Sequence, residues 1–264
     1  MSPTGLMNKR ILVTRTRESC PPICRMLESR GAKAVSLPCL AVEGLPHNIM
    51  SAAPLLETCS DVLFTSVIGV HAVARAIAAE GRSLPKALQN KRVAAVGGKT
   101  AKALAQAGIR IDMIPEKASQ DGLLEIYMAH GLPRSLLFFR AEEGRETLAE
   151  TLSQQSVEVS TVPAYRTVCP SGDASDIISM LQHNSIDAVL LGSTKTALFY
   201  LQRIGSLTLA NRPVLAGISE NMAIASRKAG LNVQVVAKEA SFEAMLDALT
   251  EYFDQHPDEP GKIS

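Results

Sequence analysis

Short apolar runs alternate along the chain with longer segments in which apolar residues recur every three or four positions. Runs such as ILVT (11–14), DVLFT (61–65) and VAAV (93–96) predict buried β-strands, as do AVSL (34–37) and IRIDMI (109–114). The longer segments between them predict amphipathic helices. Strands that alternate with helices are typical of an α/β fold, in which a parallel sheet carries helices on both faces.

The chain also repeats itself. RILVTR ends in Arg15 and RSLLFFR ends in Arg140, 125 positions later, and Pro38 and Pro163 have the same separation. Each of these units has the order strand, arginine, helix, strand, proline. An ordered repeat of this kind indicates that one structural unit occurs twice.

Two further pairs extend the repeat over the whole chain. Ser66 in DVLFTS corresponds to Ser193 in DAVLLGS, 127 positions later. Gly108 corresponds to Gly230, 122 positions later, and both glycines stand where a helix is predicted to end in a left-handed residue. We therefore predict an internal duplication with two similar α/β domains.

Composition narrows the function classes. The 264 residues include 27 Lys and Arg against 26 Asp and Glu, a balance that argues against a nucleic-acid surface. The sequence lacks an apolar run long enough to span a membrane, and its start lacks the apolar region of a secretory signal, so we expect a cytoplasmic protein. The cysteines and histidines show no metal-ligand spacing, and free thiols are expected.

Ligands of open parallel sheets bind beyond the carboxyl ends of the strands, beside helix N-termini. The loops predicted there are rich in hydroxyl groups and glycine, and their candidate ligand-binding residues are Thr65, Ser66, Gly97, Lys99, Thr100, Ser193, Thr194, Ser219 and Asn221. Free backbone N–H groups at such positions bind anions. Serine, threonine and glycine are also ordinary helix N-caps, which is the alternative for any single loop. Together these loops predict an anion-binding cleft.

Several motifs with known chemistry are missing. VGGKTA (96–101) resembles a phosphate loop, but Gly97 and Gly98 are adjacent where that loop needs four residues between its glycines. The sequence has no GxGxxG after a strand and no HExxH or GxSxG. Nothing in it indicates a metal, a nucleotide or a covalent nucleophile.

A family resemblance rests on an ordered set of short motifs. These are ILVTR, DVLFTS, VAAVGGKTAKALAQAG, a strand ending in arginine before EGRETLAETL, and PAYRT. In this order and spacing the chain resembles the uroporphyrinogen III synthase family over nearly its whole length. The resemblance implies that the first strand and helix join the C-terminal half.

That implication gives a specific domain map. One domain would comprise residues 1–36 and 170–264, and the second residues 44–162. A two-stranded linker of residues 37–43 and 163–169 would join them as a hinge.

The resemblance also implies the activity. Enzymes of this family close hydroxymethylbilane, a linear tetrapyrrole with eight carboxylates, into a ring with inversion of ring D and loss of water. The pyrroles supply the electrons, so no cofactor is expected. The expected partners are this small-molecule substrate and, transiently, the preceding enzyme of the pathway, and we expect a monomer that binds neither nucleic acid nor membrane.

The resemblance assigns roles to particular residues. Tyr165 of PAYRT would act as general acid toward the departing hydroxyl, and the alternative is a tyrosine that packs the linker. Basic candidates for the substrate carboxylates are Arg15, Arg140, Arg145 and Lys99. Each of these could instead be a solvated charge at a helix start. Two other functions stay open, namely a non-catalytic tetrapyrrole- or anion-binding module of the same fold, and a nucleotide-binding transferase.

Overall fold

The computed structural model describes residues 5–144 and 146–256. Its strands are β1 (Arg10–Val13), β2 (Lys33–Ser36), β3 (Ala41–Gly44), β4 (Asp61–Phe64), β5 (Arg92–Ala95), β6 (Ser135–Ala141), β7 (Glu158–Val168), β8 (Ala188–Leu191), β9 (Val214–Gly217) and β10 (Val233–Val236). Its helices are α1 (Cys20–Glu28), α2 (Pro46–Ser51), α3 (Leu55–Thr58), α4 (Val67–Ala79), α5 (Leu84–Leu88), α6 (Gly98–Gln106), α7 (Gln120–His130), α8 (Thr147–Gln154), α9 (Ser175–Gln182), α10 (Thr194–Ile204), α11 (Leu207–Ala210), α12 (Glu220–Lys228) and α13 (Phe242–Gln255). Within these described ranges, no helix is both long and apolar enough to cross a membrane.

The chain divides into two compact units. The central unit is one continuous segment, Val42–Thr167, and the terminal unit combines the residues up to Ala41 with those from Val168 onward. Each unit contains one five-stranded sheet.

The sheet of the terminal unit has the order β10-β9-β8-β1-β2. All of its pairings are parallel, and β1 lies between β2 and β8, with Leu12 opposite both Val35 and Val189. The first strand of the chain therefore belongs to the sheet that the last three strands build.

The sheet of the central unit has the order β3-β7-β6-β4-β5. Strands β4, β5, β6 and β7 are parallel, as predicted. The edge strand β3 runs the other way. Glu43 forms an ion pair with Arg166, and the N–H of Leu45 donates to the carbonyl of Ala164. Residue numbers therefore rise along β3 as they fall along β7, so these two strands are antiparallel.

The prediction of a strand over IRIDMI (109–114) is wrong. Its only strand-like pairing among the described residues is an isolated bridge from Met113 to Ala94. The Asp112 side chain accepts the N–H of Val93 at 2.9 Å, taking a donor that a regular strand would use. Pro115 follows and has no N–H to extend the ladder.

Apolar cores cover both faces of each sheet. In the terminal unit, Ile11 and Val13 of β1 face one core while Leu12 faces the other. In the central unit, Val62 and Phe64 face one core while Leu63 faces the other. The strands are unbroken apolar runs because the side chains on both faces of each sheet are buried.

Glycines end several helices as predicted. Gly31, Gly81, Gly108 and Gly230 all have positive φ, between 68° and 90°. This is the left-handed conformation that residues with a Cβ adopt at a steric cost.

Candidate functional site

The carboxyl edge of the central sheet brings several predicted residues together. Thr65 follows Phe64 at the end of β4, and Phe64 lies opposite Ala95 of β5 and Phe139 of β6. The loops that follow these three strands therefore leave the sheet at the same edge. That edge lies beside the first turns of α4 and α6.

Tyr165 lies at this edge, near the end of β7. It is opposite Ala141 of β6, and its carbonyl accepts the N–H of Glu142 at 2.8 Å. The ring is half-buried against the core that α4 covers. A Cβ added to Gly69 would stand 3.7 Å from Tyr165 Cε1, so the ring lies against the first turn of α4. The phenol makes no hydrogen bond or ion pair within the described ranges.

The two helix starts at this edge differ in their caps. Ser66 is the N-cap of α4 and its hydroxyl accepts the N–H of Gly69 at 2.9 Å. Gly97 is the N-cap of α6 and has no side chain to do the same. A Cβ on Gly97 would come within 2.9 Å of the Ala118 methyl, so close packing favours glycine there. The first N–H groups of α6 are consequently without a side-chain acceptor.

Lys99 and Thr100 have contrasting positions in the first turn of α6. Lys99 is exposed, and its ammonium has no described partner. Thr100 is only 4% exposed and belongs to the buried face of the helix. Of the two, Lys99 is the one that can reach a ligand in solvent.

Arg140, at the end of β6, is buried rather than solvated. It is 6% exposed, its Nε donates to the carbonyl of Ala141 at 3.2 Å, and its Nη1 lies 3.6 Å from Glu146 Oε1. The guanidinium also lies over the Phe138 ring, 5.9 Å from its centroid. The neighbouring candidate Arg145 lies outside the described residues.

Arg15 occupies the corresponding edge of the terminal sheet. Its guanidinium lies 5.7 Å from the centroid of the Phe242 ring, at the start of α13. The side chain also passes Gly192, where an added Cβ would meet Arg15 Cδ at 3.3 Å. Arg15 Nε is buried and has no hydrogen-bond partner within the described ranges.

The helix starts of the terminal unit show the same difference in capping. Ser193 caps α10, because its hydroxyl accepts the N–H of Thr196 at 3.1 Å, and Thr194 is half-buried beside it. Ser219 stands at the N-cap of α12, but its side chain makes no capping hydrogen bond. Asn221 is exposed in the first turn of that helix.

Glu220 separates Ser219 from Asn221 and carries a negative charge at this helix start. Its carboxylate forms an ion pair at 2.8 Å with Arg227, which lies about two turns further along α12. The pairing draws the acidic group along the helix and offsets its charge.

Sequence reasoning missed two residues at these edges. Phe242 has no motif around it, and nothing in the sequence signals its contact with Arg15. Gly69 is visible in the sequence as a glycine one turn into a predicted helix, which is a signal for close packing. That Tyr165 is the neighbour of Gly69 could be learned only from the fold.

The comparison with known families decides the assignment. The family model described as uroporphyrinogen-III synthase HemD matches residues 23–247, which is most of the chain. The chain belongs to the uroporphyrinogen-III synthase family.

Two relatives named as synthases match over most of their length. The chain is 28% identical to the uroporphyrinogen-III synthase of Synechococcus elongatus, and the match covers 97% of this chain and 99% of that protein. It is 26% identical to the uroporphyrinogen-III synthase of Chlorobaculum parvum, over 86% of this chain and 92% of that one.

The fold matches solved members of the family as well. The crystal structure of uroporphyrinogen-III synthetase from Helicobacter pylori superposes with a TM-score of 0.60 at 16% identity, covering 92% of this chain and 99% of that one. At this identity the likeness establishes a shared α/β fold.

Proposed function

We propose that this chain is a uroporphyrinogen III synthase that converts hydroxymethylbilane to uroporphyrinogen III. The observation that carries the proposal is the family match over residues 23–247, together with end-to-end similarity to synthases. The helix starts at the carboxyl edges fit a substrate whose recognisable charges are carboxylates.

Substrate carboxylates would bind at the helix starts that have no side-chain cap. The first N–H groups of α6 and α12 lack an internal acceptor from Gly97 or Ser219, and helix dipoles favour an anion there. Lys99 would add a positive charge at α6. Ser66 and Ser193 already accept a backbone N–H, and the Ser193 hydroxyl also lies 2.8 Å from the Thr196 hydroxyl. The Ser66 hydroxyl is therefore the freer of the two to donate to the substrate.

Arg15 would bind a carboxylate in the terminal unit. Its flat guanidinium is held by Phe242, while its buried Nε has no partner, so a ligand oxygen would supply the missing acceptor. Arg140 would act indirectly, because its burial and its contact with Glu146 favour positioning the loop after β6. Thr65, Thr194 and Asn221 remain predicted binding residues at these helix starts, whereas Thr100 is buried on the inner face of α6.

Tyr165 would be the general acid. Its phenol would donate a proton to the hydroxyl of hydroxymethylbilane, which leaves as water while the pyrrole nitrogen supplies the electron pair. The substituted carbon of ring D attacks the azafulvene so formed and gives a spiro intermediate. The bond from ring D to its neighbouring methylene then breaks, and reclosure at the other α-carbon of ring D, with loss of its proton, leaves that ring inverted. This sequence of steps requires no cofactor, since the substrate provides every electron.

We further propose that the two units arose by internal duplication. Under the repeat, β1, β2, β8, β9 and β10 of the terminal sheet correspond to β6, β7, β4, β5 and the Met113 bridge of the central sheet, in the same spatial order. Even a side-chain contact recurs, since Gln234 accepts the N–H of Leu215 as Asp112 accepts that of Val93. The hinge role of residues 37–43 and 163–169 belongs to the same proposal.

One assay tests the function directly. Purified protein receives hydroxymethylbilane, and the products are separated after oxidation to identify the porphyrin isomer. We expect the type III isomer to form faster than the type I isomer that arises without enzyme. Type I product at the uncatalysed rate, with the protein folded, would favour the non-catalytic binding module.

A further inference from the structure

A groove with an excess of positive charge lies at the amino edge of the central sheet. It has a volume of about 620 Å³ and is lined by the starts of β4 and β5 and by the segment before β6. Because β4 and β5 run from this edge to the one with Thr65 and Gly97, four residues at about 3.3 Å each separate the two edges by roughly 13 Å. The groove is therefore distinct from the predicted substrate loops.

Two of the basic residues in the groove hold its walls together. Arg92 Nη1 and Nη2 both donate to the carbonyl of Gly131 at 3.2 Å, and Arg92 Nε lies 2.8 Å from the buried Asp61 carboxylate. Lys91 Nζ donates to the carbonyls of Glu57 and Cys59 at 3.0 and 2.7 Å. These contacts join β5 to the end of α7 and to the end of α3, so the groove is preorganised.

Two further arginines present their charge to solvent. Arg134 is exposed and makes no ion pair within the described ranges. The Arg110 side chain is 83% exposed and lies 2.6 Å from Asp112, whose other oxygen already accepts the N–H of Val93. The amides of Gln89 and Asn90 line the same groove and are also exposed. The groove thus offers more hydrogen-bond donors than acceptors.

The duplicated unit shows that the fold does not require these charges. At the 122-residue offset, Arg92 corresponds to Val214 and Arg110 to Asn232. Asn232 donates its backbone N–H to Asn211 Oδ1 at 2.7 Å. The basic residues at this edge of the terminal sheet have protein partners, since Lys9 meets Asp187 and Arg212 donates to the carbonyl of Gln182. The charges of Arg92 and Arg110 are therefore features that the central unit has in addition to its fold.

We propose that this groove is a second binding site, for a small polyanion that bears carboxylate or phosphate groups. Guanidinium groups match both kinds of oxyanion with paired N–H donors. Arg134 has no ion pair among the described residues, and the exposed Arg110 guanidinium has further N–H groups beside the one that meets Asp112. A volume of about 620 Å³ is of the size that small-molecule sites have. The site is independent of the proposed cyclisation.

Calorimetric titration of the full chain tests the proposal with two probes, citrate and inorganic pyrophosphate, at constant ionic strength. The informative variant is Arg110→Gln with Arg134→Gln, since both side chains are exposed and their loss leaves the core intact. The matched control is Arg25→Gln with Arg75→Gln, which removes the same charge from exposed helix positions outside the groove. Comparing the two probes separates a carboxylate site from a phosphate site.

We expect saturable binding of at least one probe, at least about tenfold weaker in the groove variant and within about twofold of the parent in the control. Both variants should retain cyclisation activity. Absence of saturable binding by the parent, or equal weakening in both variants, would overturn the proposal. Absence of cyclisation by the parent, with binding intact, would count against the proposed function alone, whereas loss of cyclisation in the groove variant only would contradict the independence of the site.

Discussion

Tyr165 shows how one residue's surroundings link two distant motifs. Its ring lies beside Gly69 and the Ser66 cap, so PAYRT in β7 meets the start of α4. Any side chain at position 69 would approach both the Ser66 hydroxyl, at 3.2 Å, and the tyrosine ring. The phenol is left without a described protein partner, which is what a proton donor to a ligand needs.

Replacing Tyr165 by phenylalanine tests its proposed role as acid. The ring packing is kept and only the donor is removed, and general acids contribute about 10²–10⁴-fold to rate. We expect turnover of hydroxymethylbilane to fall at least tenfold while the enzymic product remains type III. A near-normal rate would assign Tyr165 to packing, and full rate with mostly type I product would show that it shapes the substrate.

Two buried tyrosines offer a matched test of hydrogen bonding in the core. Burial raises the pKa of both Tyr127 and Tyr200, and Asp61 adds to the effect at Tyr127. Tyr200 donates to the carbonyl of Ala210 at 3.1 Å, whereas the Tyr127 hydroxyl has no partner in the described ranges.

The corresponding phenylalanine variants should therefore differ in their effect on stability. Tyr200→Phe loses a buried hydrogen bond and should lower the free energy of unfolding by about 1 kcal/mol. Tyr127→Phe removes an unsatisfied hydroxyl and should leave that free energy unchanged or raise it by up to about 1 kcal/mol. Urea unfolding followed by circular dichroism measures both. A loss at Tyr127 as large as that at Tyr200 would show that its hydroxyl is satisfied by solvent.

At the scale of elements, the helix starts divide into capped and uncapped pairs. Among the helix starts that carry predicted binding residues, each unit has one with a serine cap, α4 or α10, and one without a side-chain cap, α6 or α12. Extended backbone at all four N-caps points the first N–H groups away from the helix. The uncapped starts are the ones at which a carboxylate gains most.

Ser219→Asp tests this division. Aspartate should cap α12 and stabilise it by a few tenths of a kcal/mol to about 1 kcal/mol, while its charge repels a substrate carboxylate from the same N–H groups. We expect KM for hydroxymethylbilane to rise about tenfold. The matched control is Ser206→Asp at the start of α11, where the serine hydroxyl already accepts the N–H of Leu209. An unchanged KM for Ser219→Asp would place the substrate elsewhere.

At the scale of the whole molecule, the two units differ in how the chain builds them. The central unit is continuous and contains β3 to β7 with a core on each face of its sheet. The terminal unit needs β1 from the start of the chain between β2 and β8. Only the central unit can therefore be excised as one segment.

A fragment of residues 42–167 should accordingly fold by itself. We expect helical and strand circular dichroism and a cooperative thermal transition, because every strand of its sheet is present. The matched control is a fragment of similar length, residues 7–130, which cuts at the repeat boundary and leaves β4 and β5 without β6. Equal cooperativity in both fragments would contradict the division into these units.

The sequence by itself determined the elements and the edge where a ligand would bind. The unbroken apolar runs of the buried strands and the periodicity of the helices are local properties of the sequence. In a parallel sheet, the loops that follow the strands must lie at the same edge. The glycine C-caps follow for the same reason, since a positive φ depends on the residue itself.

Tertiary structure alone decided which strands meet and what each side chain contacts. Nothing in RILVTR selects β8 over β4 as its neighbour, because any buried parallel strand satisfies the same apolar pattern. The family resemblance implied the choice and the sheet order shows it. The same holds for the burial of Arg140 at the end of β6, for Arg15 against Phe242, and for the Asp112 side chain that reduces the predicted strand at 109–114 to a single bridge. Arg15 and Phe242 are far apart in sequence, as are Val93 and Asp112, and a local pattern carries no information about such contacts.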